Sequence, residues 1–137
     1  MNPTDDELIE IYRTTRTIAV VGASATDGKA ANRIPAYLQS QGFRIIPVNP
    51  FETEVLGEPT VGSLDEVPEP VDVVDVFRPA DEAPGIASGA VRVGAKVLWL
   101  QEGIVSEEAA TIARDGGLTV VTDLCMGVTH RRLRSRI

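Results

Sequence analysis

One stretch constrains the fold more than any other: Thr17-Ile-Ala-Val-Val-Gly22-Ala-Ser24-Ala-Thr-Asp-Gly28-Lys29. A short apolar run rich in β-branched residues delivers the backbone into a loop of small residues, and a helical pattern follows. Strand, glycine turn, then helix is the order by which doubly wound α/β domains present backbone N–H groups and a helix N-terminus to an anion. Lys29 adds a cation to the same loop. The stretch reads as the front of a nucleotide-type pocket.

The rest of the chain repeats the alternation. Thr4-x-x-Glu7 is a capping box, and Leu8, Ile11 and Tyr12 follow at helical spacing, which predicts a helix over 4–13 as an appendage at the domain edge. After the strand Thr17–Val21, a helix carrying Ile34, Tyr37 and Leu38 stops before Gly42. Its Pro35 has no N–H and fits a first turn, which places the helix start near Asn32. The strand Arg44–Val48 ends at Asn49-Pro50, and 51–70 shows no strong period apart from a capped turn at Ser63-x-x-Glu66. Further strands are expected over 71–77, 96–100 and 118–122. Between them lie a helix capped by Asp81 with Pro84 in its first turn, and a helix opened by Ser106 and closed by Gly116-Gly117. A last helical piece runs from about Gly127 to the end. Five strands separated by helices predict a single α/β domain over 1–137: a Rossmann-like, doubly wound parallel sheet with right-handed crossovers. Ligands of such sheets bind beyond the carboxyl ends of the strands, here the segments 22–29, 48–50, 77–79, 101–103 and 123–126.

Composition narrows the function. A formal net charge of −7 argues against nucleic acid, whose phosphates demand a basic surface. No apolar run reaches the roughly 18–20 residues of a membrane span. The acidic start Asn2-Pro-Thr-Asp-Asp-Glu7 lacks the regions of a signal peptide, and Cys125 is the only cysteine, so cytoplasmic residence is expected. The arginines at 131, 132, 134 and 136 read as a solvated helix end placed against its own dipole.

An NAD fingerprint needs G-x-G-x-x-G and an acid about 20 residues on. The corresponding residues are Gly22, Ser24 and Asp27, and the end of the second strand reads Pro47-Val48-Asn49-Pro50 without a carboxylate. Both departures fall where that cofactor would touch. The Walker A pattern does not occur either.

The combination that is present is Val21-Gly22-Ala23-Ser24 with Lys29, Val48-Asn49-Pro50, Asp75-Val76-Phe77-Arg78-Pro79, Trp99-Leu100-Gln101-Glu102-Gly103 and Asp123-x-Cys125. In order and spacing it resembles the single-domain CoA-binding family, itself similar to the N-terminal CoA-binding domain of succinyl-CoA synthetase α subunits and NDP-forming acyl-CoA synthetases. The resemblance runs over about residues 14–133. It implies a Rossmann-like domain that binds CoA or an acyl-CoA non-covalently across the strand ends, without the synthetases' catalytic partner domains. Carried across, it places Gly22, Ala23 and Ser24 at the phosphates with Lys29 and Asn32. Val48, Asn49 and Pro50 would border the nucleotide, and Phe77, Arg78 and Pro79 would close over the adenine or pantetheine. Where the family often has Asp-Arg-Cys, this chain has Asp123-Leu124-Cys125.

A 3′-phosphorylated ADP is strongly anionic, and Lys29, Arg33 and Arg78 all fall on the strand-end side of the sheet, whereas Arg44 starts its strand at the other end. Arg78 has two readings, ligand contact or an ion pair with Asp75 or Asp81. Cys125 reads as a buried small hydrophobe, with thiol exchange as the rival reading. His130, the single histidine, reads as a packing or helix-end residue, and Trp99 as core. Asp75 and Glu102 form no acid–base pair and read as solvated or backbone-bonded strand-end groups. The expectation is therefore binding without evident catalysis of the chain's own. Its rivals are an NAD(P)-dependent oxidoreductase and a regulatory or partner subunit of an acyl-CoA enzyme; a protein partner or a homo-oligomer is compatible with the binding reading.

Overall fold

The computed structural model describes residues 2–137. Helix α1 (Asp5–Thr14) begins with the capping box: Thr4 Oγ1 accepts from the Glu7 amide and the Glu7 carboxylate accepts from the Thr4 amide. Its Leu8, Ile9 and Tyr12 are buried. Strand β1 (Thr17–Val21) is buried along its whole length, and Gly22 turns the chain at φ +89°, a left-handed conformation that favours glycine.

Helix α2 (Ala30–Ser40) starts earlier than Pro35 suggests, with Lys29 at its N-cap and the proline inside the helix. A proline there leaves the carbonyl four residues back without its usual donor. That carbonyl belongs to Ala31, and it accepts the Ser24 amide at 3.1 Å instead. The missing helix bond thus holds the glycine loop against the helix.

Strand β2 (Arg44–Val48) is followed by a small hairpin that the sequence pattern did not reveal, β3 (Glu54–Val55) and β4 (Glu58–Pro59). Leu56 and Gly57 turn it with φ of 55° and 78°, the two left-handed residues of a tight hairpin loop. The expected turn at Leu64–Glu66 is a 3₁₀ turn, but Ser63 does not cap it; the Gly62 amide donates to Glu66 Oε2 instead. Strand β5 (Val73–Val76) is shorter than predicted. Asp81 lies inside a 3₁₀ turn, so it is Glu82, not Asp81, that precedes α3 (Ala83–Arg92), where Pro84 takes a first-turn position as expected. Strand β6 (Val97–Leu100), helix α4 (Glu107–Asp115), strand β7 (Thr119–Val121) and helix α5 (Met126–Leu133) complete the order. Ser106 Oγ caps α4 by accepting from the Ala109 amide.

The five main strands form one parallel sheet in the order β2-β1-β5-β6-β7. Alternate residues of each strand serve opposite faces. Ala19, Val21, Val74, Val76, Leu98 and Leu100 pack with the alanines of α3 and α4. Ile18, Val20, Ile45, Val73, Trp99 and Val121 pack beneath α1, α2 and α5. Cover on both faces is why the strands read as continuous apolar runs rather than alternating ones. Helix α1 is part of this packing: Tyr12 Oη donates to the Met126 carbonyl at 2.7 Å, and Arg132 and Arg136 pair with Asp5 and Asp6. The arginine tail is therefore tied to α1 rather than simply solvated. No helix among the described residues is long and apolar enough to cross a membrane.

Candidate functional site

From β1 the chain connects to β2 on one side, and β5 continues the sheet on the other. Where connections diverge in this way, a crevice opens beyond the carboxyl ends of the strands. Here it is a cleft of about 570 Å³ whose floor is Val21, Gly22 and Val48. Asn49, Pro50 and Phe51 form its β2 edge, and Gly85, Ile86 and Gly89 of α3 line it beyond β5.

Asn49 organises that edge. Its Nδ2 donates to the Ala23 carbonyl and its Oδ1 accepts the Phe51 amide, both at 2.8 Å. Gly22 sits under Arg78: a Cβ on it would lie 2.8 Å from Arg78 Cδ and 3.0 Å from the Phe77 carbonyl oxygen. The Gly22 amide donates to the Val48 carbonyl at 2.9 Å and the Ser24 amide to Ala31, so these two N–H groups serve the turn itself.

The predicted residues divide accordingly. Gly22, Val48, Asn49, Pro50 and Arg78 line the cleft; Ala23, Ser24, Lys29, Asn32, Phe77 and Pro79 do not. Ala23 is fully buried, and Asn32 donates to the Ser24 carbonyl at 2.9 Å, shaping the turn from behind. Lys29 is exposed at the start of α2, and Phe77, partly buried, packs against the core beneath α2 and α5. Sequence reasoning missed Phe51, the 62–65 turn and the α3 wall with Arg92. The Gly85-x-x-x-Gly89 spacing, one helix face bare of side chains, was the available signal.

Both arginines of the cleft are paired with carboxylates of the cleft, and Asp81 makes no ion pair among the described residues. Arg78 pairs with neither Asp75 nor Asp81: its Nε and Nη2 donate to Glu82 at 3.0 and 2.6 Å. Arg92 bonds Asp65 at 3.2 and 3.3 Å. Both pairs are about half exposed.

On the opposite face of the sheet, beneath α1, α2 and α5, lies a buried polar group. Asp75 is 0% exposed, which overturns its reading as a solvated or backbone-bonded group. Gln101 Nε2 donates to its Oδ1 at 2.5 Å, Gln101 Oε1 accepts the Met126 amide at 3.4 Å, and Asp75 Oδ2 has no partner. Burial pushes the Asp75 carboxyl up to about 7, opposed only in part by Gln101. The neighbouring strand-end loops are joined where the Gly103 amide donates to Asp123 Oδ1 at 2.6 Å. His130 is buried among Tyr12, Tyr37 and Phe43, with Nδ1 2.8 Å from Tyr37 Oη. Burial, with help from Arg134, holds it below the ordinary imidazole range. Cys125 is half-buried, and its sulfur accepts from the Val128 amide at the start of α5. No cluster of His, Cys, Asp and Glu suited to a metal occurs among the described residues.

A parallel five-stranded sheet with its cleft at the strand-order switch defines a Rossmann-like α/β domain. Residues 16–131 match the family described as a CoA binding domain, and the chain belongs to that family. It is 40% identical over 129 residues to the uncharacterized protein YneT of Bacillus subtilis (strain 168), covering 94% of this chain and 96% of that one. It is 28% identical over 128 residues to acetate–CoA ligase [ADP-forming] I of Archaeoglobus fulgidus, where the match takes in 86% of this chain but 19% of the ligase. Among solved structures, a hypothetical protein from Pyrococcus horikoshii OT3 superposes with a TM-score of 0.94 at 36% identity, covering 96% of this chain and 93% of that chain.

Proposed function

We propose that the chain binds CoA or an acyl-CoA non-covalently in the cleft at the ends of β1, β2 and β5. The observation that carries this reading is the coincidence of a CoA binding domain family match with a cleft at the switch point, floored by the predicted Gly22 turn. In this reading Gly22, Val48, Asn49, Pro50 and Arg78 meet the ligand. Ala23, Ser24 and Asn32 hold the turn, and Lys29 contributes charge from outside the cleft. Phe77 and Pro79 position Arg78. The role is binding, with no covalent step assigned to any residue of the cleft. Because a matching segment forms a small part of a much longer ligase in Archaeoglobus fulgidus, a second reading makes the chain a CoA-holding partner of a separate catalytic chain.

Calorimetry of the purified protein against CoA, dephospho-CoA, acetyl-CoA, ADP and NAD tests the proposal. CoA is expected to bind well ahead of NAD. Arg78→Ala should weaken CoA binding about tenfold, on the scale of one hydrogen bond to a charged group, and Lys29→Ala should weaken it less. Binding of NAD with no response to CoA would sink the reading.

A further inference from the structure

A second depression, of about 490 Å³, lies at the other ends of the strands, where Arg16 precedes β1 and Arg44 opens β2. The length of β2, about 13 Å at the usual rise of a strand, separates it from the cleft. Its walls come from the end of α1, the turn between α2 and β2, and α5. Tyr12 and Phe43 form an aromatic side with ring centroids 6.3 Å apart. His130 meets both rings edge to face, at 5.1 and 5.5 Å.

Charge is the informative feature of this depression. The chain carries 20 acidic and 13 basic side chains, yet three arginines line the depression and, among the described residues, no Asp or Glu does. Arg44 is neutralised by Glu58 and Glu69. Arg13 and Arg16 make no ion pair among the described residues. Arg13 Nη2 donates to the Arg136 carbonyl at 2.7 Å, which positions the guanidinium without cancelling its charge. Two such cations beside one concavity give it a local positive potential in an otherwise acidic protein. His130 adds a neutral donor. It is 4% exposed, Tyr37 Oη lies 2.8 Å from its Nδ1, and its Nε2 makes no hydrogen bond among the described residues. Burial keeps the ring neutral. A phenol donates more readily than it accepts, so Nδ1 accepts from Tyr37 and Nε2 carries the ring's own N–H.

We propose that this depression binds a small organic oxyanion, its apolar body against Tyr12 and Phe43 and its charged head accepting from Arg13, Arg16 and His130. The volume falls within the roughly 300–1,000 Å³ of small-molecule sites and exceeds what a bare inorganic anion fills. The site is separate from the strand-end cleft and does not rest on the CoA reading.

An amide NMR titration of the purified protein with benzoate and with phenyl phosphate tests this. Benzyl alcohol supplies the ring without the charge, and inorganic phosphate the charge without the ring. At least one aromatic anion should shift the amides of Arg16, Gly42 and Phe43 and leave those of Gly22 and Asn49 in place; the tighter binder identifies the head group. Arg16→Ala, at an exposed position, should weaken binding about tenfold, on the scale of one charge-assisted hydrogen bond. Arg114→Ala removes the same charge from the exposed side of α4, across the sheet, and should leave the affinity unchanged. Equal losses in the two variants would reduce the effect to net charge and overturn the proposal. So would benzyl alcohol or inorganic phosphate binding as tightly as the aromatic anions, or no shift at these amides with either anion at millimolar concentration. Shifts of the same amides with protein concentration alone would mark the depression as a contact between copies and also overturn it.

Discussion

Asp75→Asn isolates the energetic cost of one buried carboxylate. Asp75 is fully buried, Gln101 reaches one oxygen and nothing reaches the other, and burial lifts its pKa from 3.8 to about 7. The unfolded chain ionises this group near its ordinary value. Between those two pKa values the folded state holds the proton more tightly, so stability falls as pH rises through the window and levels off above the folded value. The full penalty of a shift this large is about 4 kcal/mol, of which about 3 kcal/mol accrues between pH 5 and 8. Asparagine keeps an oxygen for Gln101 and cannot ionise. Whatever fixed cost its amide brings is the same at every pH, so the slope carries the information. Urea titrations of both proteins at intervals from pH 5 to 8 give that slope as a difference. The difference also removes His130, whose lowered pKa acts in the opposite direction by costing stability as pH falls below about 6.5. Asp75→Asn is expected to gain on wild type by about 3 kcal/mol across the range. A difference that stays flat would mean that the folded carboxyl ionises like a solvated one, which would refute the account of its burial.

Three further substitutions probe the glycine turn and the helices around the sheet. Gly22→Ala forces a side chain into a left-handed position, against Arg78 and the Phe77 carbonyl, and should cost about 2 kcal/mol in a denaturation midpoint series. Pro35→Ala restores a helix N–H that competes for the Ala31 carbonyl. Hydrogen exchange should show the Ser24 amide opening faster, even as α2 itself gains from losing an interior proline. Ser106→Ala removes the cap of α4 and should lower stability by about 1 kcal/mol by chemical denaturation, with no change in ligand affinity.

What could be read in the sequence was whatever depends on local pattern. Strands β1 and β2 were predicted to the residue, because continuous β-branched runs bounded by glycine and Asn-Pro leave little freedom. The caps at Thr4 and Ser106 were legible for the same reason. Pro35 misled because its cost is offset by a tertiary bond, Ser24 to Ala31, that no spacing rule contains. Asp75 misled because one acid in a valine-rich strand looks alike whether its strand end faces water or lies beneath a helix. At the site, the turn and the β2 edge announced themselves by motif. The α3 wall did not, because its contribution is an absence of side chains, and its opposition to Phe51 follows from the sheet order alone.

The electrostatics of the cleft follow from that arrangement. An acidic chain offers an anionic ligand no long-range attraction, and the cleft's own guanidiniums already face carboxylates, Arg78 with Glu82 and Arg92 with Asp65. Pairs this exposed are weakly held. A phosphate can therefore replace a carboxylate at either arginine with little loss, and each exchange frees an acid to water rather than burying a charge. What the exchange cannot supply is discrimination, since any phosphate can make it. Under the CoA reading, selectivity then falls to the neutral parts of the cleft: the Asn49 edge, the Phe51 ring and the bare face of α3.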